Sequence, residues 1–171
     1  MSYKIEDNCI IETINQIFDK EGLEYYLKVY HFYNEQQEYQ SIQLHLSRCQ
    51  RETRIGHAYC TFNSPEDMVL ADIIINEELK FLSLSDKFFK LTHWNEPTDY
   101  RRKGLGTYLL KYIIDLAKSK NVKIINGFLS FKDIDANPNL IHWYEKYGFK
   151  LESPPPKEIE YSKYQVCLNL D

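Results

Sequence analysis

The chain has 171 residues, 43% of them hydrophobic and 27% charged, which suits one domain with its own core and excludes a disordered or fibrous protein. Its net charge of −4 argues against a nucleic-acid binder that works by neutralising phosphates. The 15% aromatic content favours strands.

Ile10, Ile11, Ile14, Ile17 and Phe18 recur at helical spacing ahead of Gly22, which predicts an amphipathic helix within residues 1–22. From Leu23 the period changes to two. Tyr25, Leu27, Val29 and His31 alternate with Glu24, Tyr26, Lys28 and Tyr30, and Ile42, Leu44 and Leu46 alternate with Gln43 and His45. With the polar stretch Asn34–Glu38 between them, these runs predict a hairpin. Two more strands are expected at Ile55–Phe62 and Met68–Ile75, joined by the turn Asn63-Ser64-Pro65-Glu66, and Phe81–Trp94 is again strand-rich. Then helical spacing returns. Gly106–Lys118 places Leu109, Ile113, Leu116 and Ala117 on one face. Val122–Leu129 reads as a strand, Pro138–Tyr147 as a second helix, and Gly148–Glu152 and Tyr161–Leu170 as closing strands around the stiff loop Ser153–Pro156. With no repeat and no linker, the expectation is a single α/β domain, 1–171, with a strand-rich half at 23–87 and a second half at 88–171.

Cys9, Cys49, Cys60 and Cys167 form no C-x-x-C pair, and with five scattered His they show no zinc-ligand spacing. Reduced thiols and no metal are expected. Met1–Phe18 carries Glu6 and Asp7 where a signal peptide would be basic and then apolar, and no run approaches the ~20 apolar residues of a membrane span. The expectation is a cytoplasmic protein with no membrane partner.

Two constellations carry chemistry. The first is Tyr100-Arg101-Arg102-Lys103-Gly104-Leu105-Gly106-Thr107, which runs straight into a predicted helix. Gly104 and Gly106 let the backbone turn tightly so that its N–H groups converge, and the first helical turn adds unpaired N–H groups and the positive dipole end. Arg101, Arg102 and Lys103 add positive charge. The loop lacks G-K-[ST], and Leu109 stands where a dinucleotide fingerprint needs its third glycine. An anion-binding turn of the form R-x-x-G-x-G remains, beside the plainer reading of an exposed basic turn.

The second is Asn137 to Phe149. Asn137 can cap a helix, Pro138 suits its first turn and Gly148 suits its left-handed end. Leu140, Ile141 and Tyr144 fall on one face. Tyr144 is then either a packing ring or a functional hydroxyl.

R-x-x-G-x-G at Arg101–Gly106 followed by N-x6-Y-x3-G-F at Asn137–Phe149 resembles the GNAT superfamily of acetyl-CoA-dependent N-acetyltransferases. The resemblance covers about Phe88 to Leu170. It implies a splayed, mostly antiparallel sheet flanked by helices, with acetyl-CoA bound by 88–171 as cosubstrate. It further implies a pyrophosphate cradle from Arg101 through Thr107, including Leu105. The end of the preceding strand, His93 to Asn95 and including Trp94, would pair with the pantetheine arm. By the same resemblance Asn137 contacts the cofactor and Tyr144 is the general acid.

Transfer to an amine needs a proton acceptor. Asp72, Glu77, Glu78, His93 and Glu96 are the candidates, with His93 and Glu96 first because they flank the expected thioester position. No Ser–His or Cys–His pattern marks a nucleophile, so direct attack by a small-molecule or peptide amine is expected. A catalytically idle acyl-CoA binder and a structural subunit are the competing readings, and a homodimer is compatible with either. One departure bears on the acceptor. The family commonly places two helices after its first strand, whereas Leu23–Leu46 reads as consecutive strands.

Overall fold

The computed structural model describes residues 2–6, 9–34, 38–47, 54–76 and 99–170. These residues form strands β1 (Ser2–Glu6), β2 (Cys9–Phe18), β3 (Glu24–Tyr33), β4 (Tyr39–Ser47), β5 (Arg54–Ser64), β6 (Asp67–Ile75), β7 (Ile124–Ser130), β8 (Lys150–Glu152) and β9 (Ser162–Asn169). Helices α1 (Leu105–Ser119), α2 (Phe131–Ala136) and α3 (Leu140–Lys146) complete them. The sheet is mixed, in the order β1-β2-β3-β4-β5-β6-β7-β9-β8. β6 pairs β7 in parallel, whereas β1–β2, β2–β3, β3–β4, β7–β9 and β8–β9 are antiparallel. A parallel neighbour requires a crossover, and α1 lies on that stretch of chain.

The chain divides into two compact units, residues 1–59 with 72–112, and 60–71 with 113–171. β5, β6 and α1 each pass from one into the other.

In the first unit Tyr25, Leu27, Val29 and His31 of β3 are buried and alternate with half-buried neighbours, as their period predicts. Leu27 pairs with Leu46 and Val29 with Leu44, which stacks the apolar faces of β3 and β4 in one layer. Leu105, Leu109 and Leu110 of α1 are also buried in this unit. Each such side chain contributes roughly 1.5–3 kcal/mol on burial.

The expected helix at 10–18 is a strand. β2 pairs β3 from Cys9↔Phe32 to Phe18↔Glu24, with a bulge between Ile14 and Ile17. Ile14 stands opposite Leu27 and Ile17 opposite Tyr25, so two residues three apart share one sheet face. The bulge thereby imitates helical spacing in a strand. β-branched residues and the ready ladder of β3 favour the extended form. Glu12, opposite Val29, lies on that face too. Its carboxylate is 3.5 Å from His31 Nε2 and accepts from the Tyr112 hydroxyl of α1 at 3.5 Å.

In the second unit β7 pairs β9 from Ile124↔Asn169 to Ser130↔Ser162, and β8 adds to β9 over Lys150–Glu152. Ile125, Val166 and Leu168 are buried, with Ile113 and Ala117 of α1. Helix α2 has no counterpart in the sequence reading. A capping box starts it: Ser130 Oγ accepts from Asp133 N–H, and the Asp133 carboxylate accepts from Ser130 N–H.

Candidate functional site

Tyr100 anchors the turn ahead of α1. It is fully buried and meets Tyr25 edge to face at 6.3 Å between ring centres. Beyond it the backbone reverses. Arg102 has φ +61° and Gly104 φ +91°, left-handed conformations that cost an L-residue about 1–2 kcal/mol and a glycine almost nothing. Among the described residues a Cβ placed on Gly104 would meet only the stem of Lys20, at 3.5 Å, so its conformation rather than crowding calls for glycine. α1 begins at Leu105, and Tyr108 N–H donates to Gly104 C=O at 3.0 Å as its first full turn closes. The N–H groups of Leu105, Gly106 and Thr107 precede that bond at the positive end of the helix dipole, and the first turn has no acidic residue.

Carboxylates hold the cations of this turn. The Arg101 guanidinium forks onto Asp99, with Nε to Oδ1 at 3.1 Å and Nη2 to Oδ2 at 2.9 Å. These hydrogen bonds, with one from Arg101 N–H, depress the Asp99 carboxyl to about 2. Lys103 Nζ pairs with Glu21, and Lys103 C=O accepts from Lys20 N–H at 3.3 Å. The turn Asp19–Leu23 thus buttresses the glycine turn. Asp19 in turn accepts from Glu21 N–H, Leu23 N–H and the Tyr25 hydroxyl at 2.7–2.9 Å. Although burial opposes its charge, these bonds lower its carboxyl below the ordinary value. Arg102 is left exposed on the surface. Nothing in the sequence marked Asp19 and Glu21 as supports, because they lie about 80 residues upstream and only β2–β3 pairing brings their turn here.

The strand end beside this turn is that of β6. Ile75 Cγ1 lies 3.7 Å from where a Gly106 Cβ would stand. β6 pairs β7 only over Asp67–Leu70, and among the described residues its ladder with β7 does not continue into Ala71–Ile75. Ile75 is thus a neighbour of the glycine turn that sequence order concealed. The strand end anticipated at His93, Trp94 and Asn95 lies outside the described residues, as do the candidate bases Glu77, Glu78, His93 and Glu96. Of the anticipated bases Asp72 is described, on β6, with Oδ2 3.5 Å from His57 Nε2 of β5.

The second constellation is a packing unit. Tyr144 of α3 is 6% exposed and meets Phe149 at 5.2 Å and Trp143 at 4.8 Å, both edge to face. Its C=O accepts from Phe149 N–H, and Gly148 takes φ +87° to end the helix. Asn137 does not cap α3. It closes α2, its N–H bonded to Asp133 C=O, while its own C=O accepts from Leu140 N–H and delays the next helix to Leu140. Asn139 takes the N-cap position without a side-chain bond. Pro138 thus lies in the turn rather than in the helix.

Residues 97–149 match the family model described as Acetyltransferase (GNAT) family. That segment is under a third of the chain. Among solved structures, a protein described as a GNAT-family acetyltransferase from Desulfovibrio desulfuricans superposes with TM-score 0.53 at 13% identity, over 77% of this chain and 70% of that one. The Escherichia coli ribosomal-protein-S18-alanine N-acetyltransferase gives 0.50 at 16% identity, over 77% and 70%. A Bacillus subtilis acetyltransferase solved in complex with CoA gives 0.50 at 14%, over 77% and 78%. A curated relative, the uncharacterized protein YocC of Bacillus subtilis, is 35% identical over 48 residues, which is 28% of this chain and 29% of that protein. The match thus spans under a third of that relative. These likenesses show the GNAT fold, a mixed sheet with flanking helices.

Among the described residues no group of three His, Cys, Asp or Glu could hold a metal ion, and no helix is long and apolar enough to cross a membrane. Cys60 is buried, which pushes its thiol up to about 12, far from a reactive thiolate at neutral pH.

Proposed function

We propose that the chain is an N-acetyltransferase that passes the acetyl group of acetyl-CoA to a primary amine by direct attack. The glycine turn carries this reading: a cluster of backbone N–H groups at the start of α1, beside the end of β6 that runs past its pairing with β7. That arrangement suits a diphosphate, and the backbone of Ala71–Ile75 suits an extended amide-bearing arm lying along it. Arg101 through Thr107 hold the diphosphate in this reading, and Asn137 contributes to the cofactor contacts.

In the reaction a neutral amine forms an N–C bond to the thioester carbon, the C–S bond breaks, and the thiolate takes a proton. A phenol near pKa ~10 is a weaker acid than a thiol near ~8.5, so full transfer from Tyr144 runs uphill by about 2 kcal/mol. Tyr144 therefore serves best as a hydrogen-bond donor to the developing thiolate. Its burial favours one competing reading, an acyl-CoA binder whose Tyr144 only packs. The test is calorimetric titration with acetyl-CoA together with CoA thiol release in the presence of amines. Binding with release supports the transferase, and binding without release for any amine supports the idle binder. No binding overturns both.

A further inference from the structure

The sheet face opposite the buried side of β3 and β4 carries a second constellation that the cofactor reading does not use. His45 of β4, Tyr59 of β5 and His57 of β5 lie in a row, with ring centres 6.1 Å apart for His45–Tyr59 and 4.7 Å for Tyr59–His57. All three are half-buried. His45 Nε2 and His57 Nδ1 are buried and, among the described residues, have no hydrogen-bond partner.

Opposite charges flank this row. Arg54 Nη1 donates to the central Tyr59 hydroxyl at 2.9 Å, and burial with the positive charges of Arg54 and Lys28 lowers the His45 imidazole to about 4. Asp72 stands 3.5 Å from His57 Nε2, its side chain 39% exposed against 16% for His57. Burial lowers His57 from its ordinary value, against the pull of Asp72, so both rings are neutral at pH 7. Cationic Arg54 thus meets the row at the Tyr59 hydroxyl and acts on both imidazoles, and anionic Asp72 meets it at His57.

This row is joined to the cofactor turn by one strand. Asp72 precedes Ile75 by three residues of β6, about 10 Å along an extended chain, and Ile75 touches the start of α1. An acyl-CoA arm that leaves the turn along β6 carries its thioester toward Asp72.

We propose that this row is the acceptor site, that it takes a primary amine bearing a carboxylate at its far end, and that Asp72 binds the ammonium and removes its proton. The inference rests on the acetyltransferase reading above. The ammonium lies on Asp72 and the acceptor's carboxylate on Arg54, while its carbon stem packs on Tyr59. His57 is a positioning residue that donates Nε2–H to Asp72. One ammonium proton passes to the Asp72 carboxylate and on to solvent. The nitrogen lone pair forms the N–C bond, the C–S electron pair leaves on sulfur, and the amine's second proton converts that thiolate to CoA thiol.

The test uses the full chain, acetyl-CoA, and 5-aminopentanoate, pentylamine and 1,5-diaminopentane as probes, with CoA release as readout. Hydroxylamine, already neutral at pH 7, serves as an amine that needs no base. The expected kcat/KM is highest for 5-aminopentanoate, by about tenfold over the diamine, the worth of one favourable and one avoided charge contact. Asp72→Asn lowers alkylamine turnover by ~10² or more and leaves hydroxylamine turnover within about threefold. Arg54→Gln raises KM for 5-aminopentanoate alone. His57→Leu follows Asp72→Asn, and His57→Gln, which keeps a donor, restores turnover. Acetyl-CoA affinity is unchanged in all four variants, which also reports that they fold. Preference for the diamine, or an Asp72→Asn enzyme equally slow with hydroxylamine and alkylamines, overturns the proposal. Acetyl-CoA bound by the wild type with no amine acetylated overturns it while sparing acyl-CoA binding, and absence of binding overturns the acetyltransferase reading itself.

Discussion

The glycine turn and helix α3 carry the two halves of one sequence signature, yet they are built by different physics. The turn is polar and exposed. Its shape is set by two positive φ angles, and its cations are held by Asp99 and Glu21. The α3 region is apolar, and Tyr144 is held by the rings of Trp143 and Phe149. A function made of backbone N–H groups tolerates many side chains provided the dihedral angles survive. A function made of one hydroxyl depends on a single atom in a ring that also fills the core. Substitutions in the two places should therefore fail in different ways.

The largest effect tests the hydroxyl. Tyr144→Phe keeps the ring contacts, so the melting temperature holds while single-turnover acetyl transfer slows by roughly 10²–10⁴. Tyr144→Ala instead removes the ring and destabilises the fold by about 3–5 kcal/mol in urea unfolding. Unchanged transfer in Tyr144→Phe would reduce α3 to packing and break the symmetry between the two halves.

At the turn, Gly104→Glu forces an L-residue to φ +91° and brings a carboxylate to the proposed diphosphate site. Acetyl-CoA affinity measured by calorimetry should fall by roughly 10²-fold, the worth of one or two charge-assisted hydrogen bonds, with the fold retained. Asp99→Asn works the other way. It releases Arg101 from its carboxylate and tightens acetyl-CoA binding by about threefold, within the ~1 kcal/mol typical of surface pairs, and the gain should vanish at high salt.

The smallest effect concerns stability. His45 is lowered from 6.5 to about 4 by burial and by nearby positive charges. The unfolded chain therefore binds the extra proton first, and stability present above pH 6.5 is lost as pH falls toward 4. His45→Gln should flatten that slope in urea midpoints taken across this range and leave acetyl-CoA affinity as it was. An unaltered slope would place the acid sensitivity elsewhere, the buried Glu12–His31 pair being the next site to vary.

Legibility in the sequence followed from how locally each feature is determined. β3 and β4 were legible because one face of each is buried, so period two is written directly in Tyr25, Leu27, Val29 and Ile42, Leu44, Leu46. The glycine turn was legible because Gly104 and the helix start act within a few residues of each other. β2 was misread because its bulge puts Ile14 and Ile17 on one face. α2 escaped notice because six residues with only Ile134 buried show no period. Asn137 was misplaced because a cap depends on where the preceding helix ends.

From its own residues the chain determined the turn and helix at Arg101–Ser119, the helix around Tyr144 and the alternation of the central strands, since dihedral preference and burial period act over short stretches. Tertiary structure alone decided that the Asp19–Leu23 turn supports the glycine turn, that the end of β6 reaches it, and that His57 meets Asp72. Those neighbours are set by the register of strands far apart in sequence, and a register is chosen by the burial of whole faces at once, which no single stretch of chain records.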